Sequence, residues 1–299
     1  MTAAQRLDAA GSLRAGLSPR RRRKDALGRL TVLGMAAVSV AALLVLLGAI
    51  VLYGAPAVDW TFLTSPPSSD PERAGILPAL VGTLWIGAVS MLVAVPVGMA
   101  AAVYLQEFAR PGWLTTLLRT SIANLAGVPS IVFGILGLAL FARGFGLGLT
   151  VAAAGLTLGL LTLPIVIVVC EEALKAVPRS IREAALALGA SRWQAVRHHV
   201  LPYAMPGMAT ASILALSRAV GETAPLIVLT AATYISFLPD GPLSRYTALP
   251  VQGFFWANEA DPAFHTLAWG AILVLIVLVV LGNLAAIVLR ERTQRRFRW

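Results

Sequence analysis

Two ionisable residues of opposite charge, Arg218 and Glu222, lie inside the long apolar run 207–235. An arginine near the middle of a bilayer costs about 2.5–3.5 kcal/mol on insertion scales, so such residues usually face a bundle interior or an aqueous path. Arginine four residues before glutamate is the weaker orientation for helix support, whereas a guanidinium fork matches the oxygens of a tetrahedral oxyanion. The pair therefore indicates an anion path, with an interhelical structural salt bridge as the alternative.

A polar segment, residues 171–205, carries two helix-start signals in close succession. The signals are two capping boxes, Ser180-x-x-Glu183 and Ser191-x-x-Gln194, with Gly189 between them and Pro202 after them. A capping box opens a helix, a glycine at the C′ position ends one, and a proline prevents regular continuation. The segment therefore predicts a compact helix–turn–helix.

The sequence carries no pattern typical of an enzyme or a metal protein. Its one cysteine, Cys170, excludes an internal disulfide and a cysteine-based metal cluster, and its three histidines show no ligand spacing. The two lysines, Lys24 and Lys175, do not follow glycine, so the chain has no Walker A motif for ATP hydrolysis. We expect a non-catalytic protein without a cofactor of its own.

Composition predicts the elements that must position these residues. The chain of 299 residues is 58% hydrophobic and 13% charged, with a mean hydropathy of +0.80. A helix needs about 20 apolar residues to cross a bilayer, and only helices or closed barrels satisfy their backbone there. The apolar runs are 30–53, 76–104, 122–140, 147–169, 207–235 and 267–289. They predict an all-α integral membrane protein with six spans.

The positive charges predict the topology. Lys and Arg number eight in residues 1–29, two in 105–120, five in 171–205 and five in 290–299. The segments on the other side hold only Arg73, Arg143 and Arg245. Because cytoplasmic loops carry the excess of Lys and Arg, both termini and the polar segment 171–205 are expected in the cytoplasm.

The polar segment also resembles a family motif. Glu183-Ala184-Ala185, then Gly189, then Leu201-Pro202 are similar to the EAA loop of the binding-protein-dependent ABC importers. The resemblance implies a six-span type I importer permease with a MetI-like fold, whose loop forms a coupling helix that inserts into a separate ATPase subunit. His199 departs from the family's isoleucine two residues before Leu-Pro. The alternative role for Glu183 is to cap its own helix.

Three further strings resemble the A-type permease subunits of the bacterial high-affinity phosphate importers. They are Gly-Glu-Thr-Ala-Pro-Leu at 221–226, Val-Pro-Ser-Ile-Val-Phe-Gly at 128–134 and Ala-Leu-Pro-Val-Gln at 248–252. The likeness runs from about residue 76 to the C-terminus. It implies a substrate path for phosphate through Arg218, Glu222 and Thr223.

The resemblance also implies partners and a location. The partners are a second, related permease subunit, two ATP-binding subunits that use the ATP, and an extracytoplasmic phosphate-binding protein. The location is the bacterial cytoplasmic membrane. The chain would divide into a basic tail at 1–29, a first helix at 30–53, a permease core at 76–289 that contains the coupling loop, and a second basic tail at 290–299.

Three other functions stay open at this point. The first is a permease for sulfate, molybdate or another oxyanion, the second an ion-coupled transporter that works alone, and the third a membrane scaffold that senses phosphate.

The role of the outer segment 236–265 is also open. This segment carries Phe254, Phe255 and Trp256 beside Asn258, Glu259 and Asp261. Such a mixture suits either a docking surface for the binding protein or an aromatic belt at the membrane interface.

The charge count generates the first prediction. A cysteine introduced at Ala190 is expected to react with a permeant thiol reagent in intact cells and not with an impermeant one, because residues 171–205 face the cytoplasm. Cysteines in 236–265 are expected to react with both reagents. Labelling of the Ala190→Cys variant by the impermeant reagent would contradict the whole topology.

Overall fold

The computed structural model describes residues 19–230 and 235–295. These residues form twelve α-helices and no β-strand, with one isolated bridge between Thr150 and Arg245. The predicted all-helical class is therefore confirmed. The chain divides into two units after Leu52, and nearly all of the first helix lies in the first unit.

The first helix, α1, is Pro19–Gly54. It begins before the predicted start of the first span at residue 30, so the basic residues 19–29 are helical. The helical segment Arg23–Ala57 is long and apolar enough to cross a membrane. Residues 1–18, most of the predicted N-terminal tail, lie outside the described part of the chain.

The second unit contains the other eleven helices. They are α2 Trp60–Thr64, α3 Leu77–Val103, α4 Trp113–Ala126, α5 Ser130–Gly137, α6 Val151–Lys175, α7 Arg179–Ala187, α8 Arg192–Ala195, α9 Leu201–Gly221, α10 Ala224–Thr230, α11 Leu249–Ala257 and α12 Pro262–Arg295. Three π-helical turns extend helices at Tyr104–Phe108, Leu138–Gly144 and Val196–Val200. In the described residues, five helices are long and apolar enough to span a membrane, and a sixth span exists if one bent pair counts as one.

The third predicted span, 122–140, is not one straight helix. The chain bends by 103° between α4 and the helix that starts at Ser130, so the apolar run is divided between two directions. Pro129 precedes α5 and has ψ 136°, which is incompatible with helical continuation from α4. Apolar composition predicted the run correctly but did not reveal the bend.

The fifth predicted span, 207–235, is also broken. Helix α9 ends at Gly221, Glu222 is extended with φ −76° and ψ 125°, and α10 begins at Ala224. Residues 231–234, inside the predicted span, lie outside the described part of the chain. At its other end the helix extends further than predicted, since it continues back through the π-helical turn Val196–Val200 to Arg192.

Helices α3 and α6 pack against each other in parallel. A Cβ at Gly155 would lie 2.5 Å from Cβ of Val89, and a Cβ at Gly98 would lie 2.6 Å from Cγ1 of Val166. The contact with the higher residue number on α3 is also the contact with the higher residue number on α6. Both helices therefore run in the same direction and end at the same end of the bundle. We call this end the loop end, because α7 and α8 follow α6 there.

At the opposite end, α3 supports the segment that leads into α11. The Leu249 N–H donates a hydrogen bond of 2.9 Å to Thr83 Oγ1, and the Thr83 hydroxyl donates one of 2.8 Å to the Ala79 carbonyl. A Cβ at Gly82 would collide with the carbonyl oxygen of Thr247. The backbone of residues 247–249 therefore lies directly on α3.

This close approach generates a stability prediction. Gly82→Ala is expected to lower the free energy of unfolding by about 1–3 kcal/mol, because backbone on both sides must move apart. Gly87→Ala on the same helix is the control, since its Cβ would lie 3.5 Å from Val220 Cγ2, an ordinary contact. Thermal unfolding midpoints in detergent provide the measurement, and equal midpoints for the two variants would contradict the packing described.

Candidate functional site

The predicted charged pair forms at the break between α9 and α10. Arg218 lies in the last turn of α9, and its Nε lies 3.1 Å from Oε1 of Glu222, the first residue after the helix. The Arg218 side chain is 40% exposed and that of Glu222 is 18% exposed. The two residues therefore contact each other, although Glu222 follows the end of α9 and is not part of the helix.

The guanidinium of Arg218 has unused hydrogen-bonding capacity. Within the described residues, its Nε donates to Glu222, and its two terminal nitrogens have no hydrogen-bond partner. A guanidinium presents five N–H donors in a planar fork, of which the terminal ones suit bidentate binding of an oxyanion. Thr223 follows Glu222 and is half-buried, and its carbonyl accepts the Ile227 N–H at 3.0 Å.

The last helix, α12, holds α9 beside this break. The hydroxyl of Ser217, next to Arg218, lies 2.6 Å from Oδ1 of Asn283. Towards the loop end, Nη1 of Arg290 donates a hydrogen bond of 3.0 Å to Oγ1 of Thr210. The contact with the lower residue number on α9 has the higher residue number on α12, so the two helices are antiparallel. The Ser217 contact fixes the rotation of α9 at the turn that carries Arg218.

The three strings that resemble phosphate permeases meet around the break. Leu226 of the first string, Phe133 of the second, and Ala248 and Val251 of the third belong to one buried cluster. A Cβ at Gly134 would lie 2.7 Å from Cα of Pro225, so α5 touches the backbone that follows Glu222. Segments far apart in sequence therefore pack together beside the break that carries the charged pair.

The first helix of the polar loop, α7, begins earlier than predicted. Its N-cap is Pro178, no side chain caps it, and Ser180 lies inside its first turn. The expected capping box Ser180-x-x-Glu183 is therefore wrong. Glu183 is exposed and has no hydrogen bond or ion pair among the described residues, so it does not cap its own helix.

The predicted turn at Gly189 is confirmed. Gly189 has φ +83°, its N–H donates to the Leu186 carbonyl at 3.0 Å, and the Ala190 N–H donates to the Ala185 carbonyl at 3.1 Å. This pair of bonds is the Schellman motif, which ends a helix with a residue in the left-handed conformation.

The second capping box is also confirmed. The side chain of Ser191 accepts from the Gln194 N–H, and the Gln194 side chain accepts from the Ser191 N–H at 2.8 Å. After α8, the helix continues through the π-helical turn Val196–Val200 into α9, whose first turn contains Pro202. Leu201 and Pro202 are half-buried at that junction.

The loop presents an apolar surface to solvent. Ala184 and Leu186 are exposed, and Leu188 is 90% exposed. Ala185 is buried against the rest of the chain. His199, the residue that departs from the family motif, is exposed and is not buried by the described part of the chain.

Two ion pairs at the loop end were not anticipated from the sequence. Arg182 Nη2 lies 2.6 Å from Oε1 of Glu107, and Arg119 Nη1 lies 3.4 Å from Oε2 of Glu171. A signal for the first pair was present, because Glu107 is the one acidic residue in the connection 105–120. Its partner is far along the chain, and spacing alone does not identify it.

The aromatic residues of the outer segment divide between core and surface. Trp256 is 2% exposed and packs against Phe62 and Phe264, with ring centroids 6.1 and 6.3 Å apart. Phe254 is exposed. Trp256 is therefore part of the core, and docking of a binding protein by the outer segment 236–265 stays a prediction.

Comparisons with known proteins identify the family. Residues 94–299 match the model of the binding-protein-dependent transport system inner membrane component. The chain belongs to this family. The match includes the polar loop, the broken helix with Arg218, and α12.

Relatives within the family cover most of the chain. A probable ABC transporter permease protein, YqgI of Bacillus subtilis, is 33% identical over 85% of this chain and 90% of its own. The phosphate transport system permease protein PstA 1 of Mycobacterium tuberculosis is 36% identical over 80% of this chain and 77% of its own. PstA of Mycobacterium leprae is 33% identical over 94% of this chain and 93% of its own.

Solved structures show the same fold. The MetNI methionine ABC transporter in an inward-facing conformation aligns with a TM-score of 0.63 at 22% identity, over 76% of this chain and 99% of that one. A bacterial ABC transporter for the acidic polysaccharide alginate aligns with a TM-score of 0.63 at 15% identity, over 91% and 99%. The chain is thus a multi-pass inner-membrane permease with a MetI-like fold.

The loop geometry generates a prediction at Gly189. Gly189→Val is expected to destabilise the turn by about 1–2 kcal/mol, because a side chain disfavours the left-handed conformation. Gly189→Asn is the matched control, since asparagine tolerates that conformation and a Cβ at this position meets no atom within 4 Å. Tryptic cleavage at arginines of the loop should become severalfold faster in the valine variant alone. Equal cleavage rates in the two variants would show that the turn does not depend on glycine.

Proposed function

We propose that this chain is a pore-forming subunit of an ATP-driven importer that carries inorganic phosphate across the cytoplasmic membrane. Family membership supports an importer permease, and the relatives named for phosphate transport support the cargo. The charge count supports an orientation with both termini and the polar loop in the cytoplasm.

The observation that carries the proposal is the partly bonded guanidinium at the helix break. One contact to Glu222 holds Arg218, and its terminal nitrogens remain available to phosphate oxygens. An arriving phosphate competes with Glu222 for the guanidinium, and Glu222 regains the contact when the anion leaves. Glu222 therefore limits how tightly Arg218 holds the anion, as conduction requires weak binding.

A second, related permease subunit completes the path in this proposal. In the isolated chain the Arg218 side chain is 40% exposed, and an arginine that faces lipid is costly. A facing protein surface with an aqueous path between the subunits removes that cost. Exposed apolar residues on α4 and α5 offer further contact area: Trp113, Leu114, Leu117, Ile131, Val132 and Ile135.

Two ATP-binding subunits and an extracytoplasmic phosphate-binding protein complete the machine. The exposed loop residues Ala184, Leu186 and Leu188 form the surface for an ATPase groove, and Glu183 on the same helix has no ion-pair partner within residues 19–230 and 235–295. Gly189 shapes the turn after that helix, and Leu201-Pro202 join the loop to α9. ATP is bound and hydrolysed by the partner, and this chain needs no cofactor.

Substitutions of the charged pair test the proposal. Arg218→Gln is expected to abolish phosphate uptake while the complex still assembles, and Arg218→Lys to fail as well, because an ammonium cannot reproduce the planar fork. Glu222→Gln is expected to impair uptake, because the anion then stays bound to Arg218. Uptake into vesicles and the amount of assembled complex are measured together, with sulfate and molybdate as competitors.

The double variant Arg218→Gln/Glu222→Gln separates a path from a structural bridge. A bridge predicts restored assembly and restored uptake, since no unpaired buried charge remains. The path predicts an assembled but inactive complex. Arg73→Gln is the control, because Arg73 lies 3.6 Å from Asp70 in an exposed pair and its loss should leave uptake unchanged. Recovered uptake in the double variant would refute the role of Arg218.

A further inference from the structure

We propose that the π-helical turn Tyr104–Phe108 is the point at which movement of the polar loop enters the membrane helices, with Glu107 and Arg182 as its positioning residues. This inference rests on the proposed function, because it concerns how ATP hydrolysis outside the membrane acts on the path. The turn forms the end of α3, and three other elements contact it.

The first contact joins α7 to the turn. Arg182 Nε lies 3.2 and 3.1 Å from the two carboxylate oxygens of Glu107, and Nη2 lies 2.6 Å from Oε1. The same guanidinium donates to the carbonyls of Leu174 and Val177 at 2.9 and 2.8 Å. Arg182 thus ties α7 both to the end of α3 and to the end of α6.

The second contact joins α8 to the same turn. The ring of Trp193 lies 6.1 Å from that of Phe108, and the Arg192 guanidinium lies 5.6 Å above the Phe108 ring. Phe108 directly follows Glu107. Both short helices of the loop therefore hold neighbouring residues of one turn.

The third contact comes from α4. Arg119 Nη2 donates a hydrogen bond of 2.9 Å to the carbonyl of Leu105 in the turn, and the same side chain pairs with Glu171 of α6. A π-helical turn leaves backbone carbonyls less regularly bonded than an α-helix does, and such turns often occur at functional sites.

Contacts of this kind determine where the loop helices lie. Helix α7 has nine residues, and isolated helices shorter than about 12–15 residues are marginal in water. Its orientation therefore depends on what it touches, whereas α8 continues through the π-helical turn into α9. The Glu107 carboxylate is 7% exposed and the Arg182 side chain is 21% exposed, so this pair is shielded from water and geometrically specific.

Helix α3 connects the turn to the helix break. At its other half, Gly87 faces Val220, and Ile86 shares a buried cluster with Ala219, directly beside Arg218. A displacement of α7 and α8 by an ATPase thus moves the turn at the end of α3, and α3 contacts the last turn of α9. The loop and the charged pair are the two ends of one mechanical link.

The test compares Glu107→Gln and Arg182→Lys with the control Glu172→Gln in reconstituted complexes with ATPase and binding protein. Glu172 pairs with Lys175 at 2.6 Å on the neighbouring α6, but this pair is exposed. ATP hydrolysis, phosphate uptake and assembled complex are measured for each. We call the Arg182–Glu107 ion pair the clamp, and Glu107→Gln and Arg182→Lys the clamp variants. We expect both variants to assemble and hydrolyse ATP, with the phosphate carried per ATP reduced about fivefold or more. The control should keep the wild-type ratio.

Two results would overturn the inference. One is a wild-type ratio in both clamp variants, and the other is loss of assembled complex in both, which would mean that the pair only stabilises the fold. Failure of the proposed cargo looks different. The wild-type complex would then import no phosphate, yet its binding protein would still stimulate hydrolysis. In that case, loss of this stimulation in Glu107→Gln supports the clamp and its retention refutes it.

Discussion

Helices α3 and α6 can approach closely because glycines stand where side chains would otherwise collide, at Gly98 against Val166 and Gly155 against Val89. In a bilayer the lipid is as apolar as the helices, so association relies on such van der Waals packing. The packing is parallel, which brings two helix C-termini with their partial negative charge to the same end. Glu107 and Glu171 add two carboxylates there. Two arginines from other elements are needed to balance this end of the bundle, and Arg182 and Arg119 supply the charge.

The break between α9 and α10 follows a related rule. The last turn of a helix favours a cation, and Arg218 occupies that turn. Irregular backbone at membrane depth is tolerated where it is buried in protein or lines an aqueous cavity. The position of Arg218 and the interruption of the helix are thus linked. The helix end leaves polar backbone groups unpaired, and these groups stabilise the charge of the arginine beside them. Glu222 follows at the first extended residue and stays within reach.

Features specified by neighbouring residues were predictable, and features specified by distant contacts were not. Gly189 and the Ser191–Gln194 box need only their own turn, and both formed as expected. Ser180 failed as a cap because Pro178 already starts the helix. The bend before Ser130 and the end of α9 were missed because apolarity continues across both. The Arg182–Glu107 pair joins residues whose proximity follows only from the packing of α3 and α6.

Leu188, at 90% exposure, has a consequence for the life of the protein before assembly. A copy without its partner keeps an apolar patch in water, together with Leu186 and the exposed ring of Trp193. Quality-control proteases and chaperones recognise such surfaces, and degradation removes the unprotected molecules. In the proposed complex, where an ATPase subunit covers this loop, the steady-state amount of the permease would then follow the supply of that subunit.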